Sequence, residues 1–192
     1  MGDLSEFDLD DLSLDEDKRP NTPAIGNGTA PSNNAHHLAE IHRSHLMEIA
    51  KARQVLRFVQ DGQAAPLKLM EAMKAMTLTE NMRVFGTLCG QECRMLGFHH
   101  NAEELHLFPE LEGQKIEGLT AVVAKLRAEH KIVHELLERL TKAAANLVSD
   151  PSEIHFDNCS EVFQKLETVV KSHFSYEETE LRDAIDYLVQ EV

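Results

Sequence analysis

Tryptophan is absent from this 192-residue chain, and aromatic residues make up only 5% of it. A core poor in rings has to be assembled from Leu, Val, Ile, Ala and Met, as helix bundles often are. Hydrophobic residues reach 42%, enough for one domain with a full core. Positive charge is also scarce: 19 basic residues face 33 acidic ones, a formal net charge of −14. That sign argues against nucleic acid and against an anionic membrane surface, since binding phosphate needs cations. No apolar run approaches the ~20 residues that a membrane helix needs. No basic stretch followed by an apolar one stands at the start, so the expected location is cytoplasmic. The 3 cysteines are too few for a secretory framework. Cys89 and Cys93 stand one helical turn apart, and the plain reading is two small apolar residues on a buried face rather than a zinc or redox pair. No segment alternates as a half-buried strand does. Hydrolytic triad, phosphate loop and dinucleotide fingerprint are likewise missing.

What the chain does have is histidine spaced against carboxylate. His99 precedes Glu103 by four residues, and His173 precedes Glu177 by four, within the similar stretches HHNAEELHLF and HFSYEETELR. On a helix such pairs share one face. Imidazole nitrogen with carboxylate oxygen suits iron, manganese or zinc, and two such pairs on facing helices can hold two ions bridged by carboxylates. The stretch AEHKIVHELL adds His130 and His134, and IHRSHLMEI adds His42 and His45. Leu166, Val170, Leu181 and Ile185 continue the stripe that carries His173 and Glu177. An ionised Glu and a His inside an apolar stripe are costly without partners, and a metal supplies them. A solvated polar face is the alternative.

Four long helices account for the periodicity. The first runs from about Asn34 to Gln60 and is ended by Asp61-Gly62. The second opens on a capping box, Thr77-Leu78-Thr79-Glu80, and stops at Pro109. Residues 66–76 form a short helix or connection between them. The third covers about Leu119 to Leu147. The fourth opens at Asp150-Pro151-Ser152-Glu153, with Asp150 as N-cap, and runs to the C-terminus. The fold class is all-α: an up-down-up-down four-helix bundle over 35–192. Residues 1–34 are expected to be a disordered acidic tail, contributing −6 of the −14 charge in its first twenty positions. Its FDLDDLSL piece mixes acidic and apolar residues as linear motifs for a protein partner do; a solubilising tail is the plainer reading.

Two choices arise among the ligands. On the second helix, His99 with Glu103 and His100 with Glu104 both have the right spacing. The match to the fourth helix selects the first pair and leaves His100, Glu104 and Glu178 outside the ligand set. On the first helix, periodicity leaves His42 and His45 even.

Together these residues resemble the hemerythrin-like (HHE) family over roughly residues 38 to 188. HHNAEELHLFPEL carries most of the likeness, followed by AEHKIV and HFSYEE; IHRSHLMEIAKAR resembles the family's first helix with His42 in the ligand place. The resemblance implies a four-helix bundle with a centre of two non-haem iron ions (Fe2+/Fe3+), oxo- or hydroxo-bridged. The implied ligands are His42, His99, Glu103, His130, His134, His173 and Glu177. It also implies an open coordination position for oxygen, nitric oxide or peroxide, with Leu96, Phe98, Val133 and Phe174 as apolar walls. In the oxygen-carrying hemerythrins the last helix spaces its pair one residue wider, so this chain is more similar to bacterial and fungal relatives than to oxygen transporters. A binding or sensing module for oxygen, nitric oxide or iron is therefore expected ahead of an enzyme acting on peroxide or nitric oxide or repairing iron–sulfur clusters. A metal-free interaction bundle is the third reading.

Overall fold

The computed structural model describes residues 4–25, 32–60, 96–150 and 152–189, and all its long elements are helices, with no strand among the described residues. The first helix, α1, covers Asn34–Gln60. A helical stretch, α2, runs over 96–113. Glu117–Ser149 forms α3 and Glu153–Leu188 forms α4. No described helix is long and apolar enough to cross a membrane. The expected capping box at 77–80, the connection at 66–76 and the pair Cys89/Cys93 lie outside the described residues.

Cross-helix contacts fix the directions. Ala35 N–H donates to Asp186 at 2.9 Å, His42 meets Glu178 at 2.9 Å, and Arg53 meets Glu167 at 3.0 Å, so α1 and α4 are antiparallel. Glu112 with Arg127 at 3.2 Å and His100 with His134 at 3.2 Å make α2 and α3 antiparallel. Between α3 and α4 only residues 150–152 intervene, so the chain folds straight back. Two apolar clusters fill the interior. Leu96, Val133, Leu140, Phe163, Val170 and Phe174 belong to one. Leu38, Phe108, Leu126, Leu181 and Ile185 belong to the other.

Two helix boundaries differ from expectation. Pro109 does not stop α2: Glu103–Leu107 is a π turn in which Phe108 N–H donates to the Glu103 carbonyl, five residues back. The wider turn accommodates a proline that has no N–H to give, and the helix continues over Phe108–Gly113. Asp150 is not the N-cap of α4; it closes α3 in an extended conformation, and Ser152 takes the N-cap place.

The N-terminal segment, expected to be disordered, is packed along the bundle over residues 4–25. Its acids face solvent while Leu12, 1% exposed, joins the first apolar cluster and Ile25 joins the second. Burying each such side chain contributes about 1.5–3 kcal/mol against the ordering entropy. The bundle supplies donors for the segment's carbonyls: Lys165 to Asp10 at 3.0 Å and Arg139 to Phe7 at 2.6 Å. The alternation of acid and apolar residue that reads as disorder is here a strip with one greasy side.

Candidate metal centre

Between the two apolar clusters lies a layer of buried histidine and glutamate. His42, His99, Glu103 and Glu177 form one group, and His100, His130 and His173 form a second; within each group the ligand atoms lie within 4.8 Å of one another. The two carboxylates reach both groups. Glu103 sets one oxygen 3.2 Å from His99 Nε2 and the other 3.5 Å from His130 Nε2. Glu177 Oε2 stands 3.6 Å from both His42 Nε2 and His173 Nε2. Each carboxylate therefore links the two groups.

Adjacent histidines serve both groups because consecutive helical side chains diverge by about 100°. With α2 facing both α1 and α3, His99 turns to His42 and His100 turns to His130. The His42 and His99 Nε2 atoms converge to 2.9 Å, and the His100 and His130 rings stack at 3.9 Å. Glu103 opens the π turn, which re-aims the carboxylate relative to the histidine a turn earlier.

The rings are held from behind. His42 Nδ1 is 2.9 Å from Glu178, His130 Nδ1 is 2.9 Å from Glu104, and His173 Nδ1 is 3.1 Å from Glu129. A carboxylate only accepts, so each Nδ1 carries the proton and each Nε2 lone pair faces the centre, the tautomer that a metal takes. His100 Nδ1 is held in the same way by His134 Nε2 at 3.2 Å.

Against the sequence reading, six of the seven residues are brought together: His42, His99, Glu103, His130, His173 and Glu177. His134 is not among them; it stands behind His100, which is in the second group. His134 lies about 6 Å further along the helix axis than His130, and His100 reaches the centre first from α2. His45 is buried beside His99, with rings 5.4 Å apart, and is outside both groups. Phe98 is no wall of the centre, being 65% exposed, whereas Leu96, Val133 and Phe174 are buried. Phe174 stacks flat on His42 at 3.9 Å. Sequence reasoning passed over Glu129. Its only local signal was adjacency to His130 in AEHKIV.

The layer fits a cation by its own unpaired atoms. Both oxygens of Glu103, both of Glu177, and Nε2 of His100, His130 and His173 are buried without a hydrogen-bond partner in the protein. Each orphaned polar group costs about 1–3 kcal/mol, and these orphans converge on one place. Burial, helped by neighbouring imidazoles, drives His42 down to about 2 and His99 down to about 3, and pushes His100 and His130 well down too. Burial raises the Glu103 carboxyl well above its ordinary value, with the Glu177 charge adding to it, and burial raises Glu177 despite the pull of His173.

These shifts make the stability of the metal-free protein depend on pH. Below the ordinary histidine value of 6.5, the unfolded chain takes up protons that the four buried imidazoles refuse, so stability falls as pH falls. The two glutamates act oppositely. Their contribution is full below the ordinary 4.5 and is lost as pH rises through their raised native values. The lowered imidazoles, which His134 joins, outnumber the two glutamates, so stability is expected to fall as pH drops below 6.5. Urea unfolding of chelator-treated protein at and below pH 6.5 checks this; a stability that holds or rises as pH falls counts against it.

A helical bundle with a paired His/carboxylate cation site defines the class of the protein. The family model for the hemerythrin HHE cation binding domain matches residues 33–185, and the chain belongs to that family. Comparison with curated proteins and with solved structures gave no match.

Proposed function

We propose that the chain is an up-down-up-down four-helix bundle holding two non-haem iron ions, and that it binds or senses oxygen, nitric oxide or iron itself. The observation that carries this reading is the pair of adjoining ligand groups sharing Glu103 and Glu177, whose oxygens have no other buried partner. The imidazole-rich set with two carboxylates suits iron better than the thiolate sets of structural zinc. His42, His99, Glu103 and Glu177 would hold one ion, and His100, His130 and His173 the other, with the carboxylates between them. Bound reduced iron would supply an open position for a diatomic ligand. The protein's own part is to fix ring orientation through Glu178, Glu104, Glu129 and His134, and to keep water out with Leu96, Val133 and Phe174.

Metal content and an optical spectrum of protein expressed with iron and purified in air test the reading. Two irons per chain, matching the two groups, with near-ultraviolet bands that respond to azide, are expected. A folded protein that refuses iron would falsify it. Rapid consumption of peroxide by the loaded protein would move it from the binding class to the enzyme class.

A further inference from the structure

Arg19 connects the N-terminal segment to the metal centre. Its Nε and Nη2 donate to the two oxygens of Glu129 at 2.9 and 3.0 Å, a two-pronged bond. Its Nη1 donates to Ser172 Oγ at 3.0 Å, and its guanidinium lies 4.5 Å above the Tyr176 ring. Glu129 is 1% exposed, and its Oε2, the oxygen that Arg19 Nη2 reaches, also accepts from His173 Nδ1 at 3.1 Å. The carboxylates behind His42 and His130 are different: Glu178 and Glu104 are partly open to water. Glu129 is sealed. The nearest alternative cation, Lys125 at 3.9 Å, is too far for a hydrogen bond. A buried carboxylate stripped of its charged partner is strongly destabilised, so Glu129 depends on a residue 110 positions away in sequence.

The bundle is shaped to seat the residues around Arg19. Tyr176 Oη donates to the Pro20 carbonyl at 2.7 Å, and Thr22 N–H donates to Glu180 at 2.5 Å. Gly118 leaves room for Pro23: a Cβ there would lie 2.7 Å from Pro23 Cδ. The docking is thus specified at several points besides the arginine.

We propose that Arg19 is a positioning residue for the metal centre, acting through Glu129 on the orientation of His173. The inference rests on the metal reading above. It gives the acidic segment a role: undocking it takes the two-pronged donor from Glu129, opens that carboxylate to water and leaves it only Lys125 at 3.9 Å, so His173 loses its fixed orientation and the centre holds metal less well. An event at the surface of the segment is thereby coupled to metal retention.

The test uses the full chain loaded with ferrous iron without air and then mixed with excess ferrous chelator. Loss of a partner behind a metal-bound histidine costs about 10–100-fold in affinity, so Arg19→Ala should release iron at least about 10-fold faster. Arg19→Lys should fall between, since an ammonium cannot form the fork. Glu129→Gln should match Arg19→Ala, and the double variant should be no faster than the faster single, because both act on one path. The visible spectrum of the cobalt(II) form should also shift in Arg19→Ala. Release at the wild-type rate with an unchanged cobalt spectrum, or effects that multiply in the double variant, overturns the proposal. If Arg19→Ala loses helix content, Arg19→Lys and Gly118→Ala decide: faster release from both supports it, and wild-type release from both overturns it. A wild-type protein that takes up neither iron nor cobalt overturns the metal reading itself and is told apart at the first step.

Discussion

Replacing Glu177 by leucine is expected to make the metal-free protein more stable while abolishing its response to metal. Glu177 is 0% exposed, and neither oxygen has a hydrogen-bond partner. Burial raises its carboxyl, which shows what ionising it there costs. Val170, Phe174, Leu181 and Ile185 on the same helix are all buried apolar residues, so leucine continues the stripe. Removing an unsatisfied buried polar group recovers about 1–3 kcal/mol. For a chain of this size each kcal/mol raises the melting temperature by about 2–4 °C. With iron the order reverses. A ligand present at about 1,000 times its dissociation constant stabilises the native state by about 4.1 kcal/mol, more than the substitution recovers, and the variant, lacking one carboxylate, gains little of it. Thermal unfolding of wild type and Glu177→Leu, each with and without iron, reads both signs at once. A metal-free variant less stable than wild type, with an unchanged iron response, would mean that Glu177 serves the fold rather than a cation.

The parts of this architecture that could be read in the sequence are those written locally. The helical period placed α1 at the bounds the structure shows, Asn34–Gln60, and the paired His-x-x-x-Glu spacing put Glu103 and Glu177 on inward faces. Family resemblance supplied what periodicity left even, the preference for His42 over His45. The misses come from a local backbone irregularity and from partners distant in sequence. Pro109 reads as a helix stop because the π turn that absorbs it leaves no compositional mark. Residues 4–25 read as disordered because their apolar residues are sparse, and only the groove on the bundle makes them enough. Arg19 and Glu129 meet across 110 residues, which no local pattern reveals. The choice between His99 and His100 was posed as exclusive because the repeat in α4 has a single histidine. On α2 the two ring directions fit two different neighbours, and the structure brings one ring into each group.

His100 and His134 are expected to exchange the roles that the family resemblance implied. His100→Leu should lower the metal content from two ions per chain to about one, since His100 is one of the three imidazoles, with His130 and His173, that its group has among the described residues. His134→Ala removes only the acceptor of the His100 Nδ1 proton. It should leave the stoichiometry unchanged at saturating metal and weaken affinity by about 10-fold, as expected for a group behind a ligand. Leucine is the right replacement at 100 because the imidazole there is stacked against His130 at 3.9 Å. Truncation to alanine would open a cavity and confuse lost metal with lost packing. Metal content after dialysis against a slight excess of iron, together with the helix signal of each metal-free variant, makes the comparison. Should His134→Ala lose an ion while His100→Leu keeps both, the ligand set is the one the sequence resemblance implied, and the stacking of His100 on His130 is packing alone. The expected result instead makes His99 and His100, two neighbours on one turn of α2, the hinge on which the two cation positions are divided.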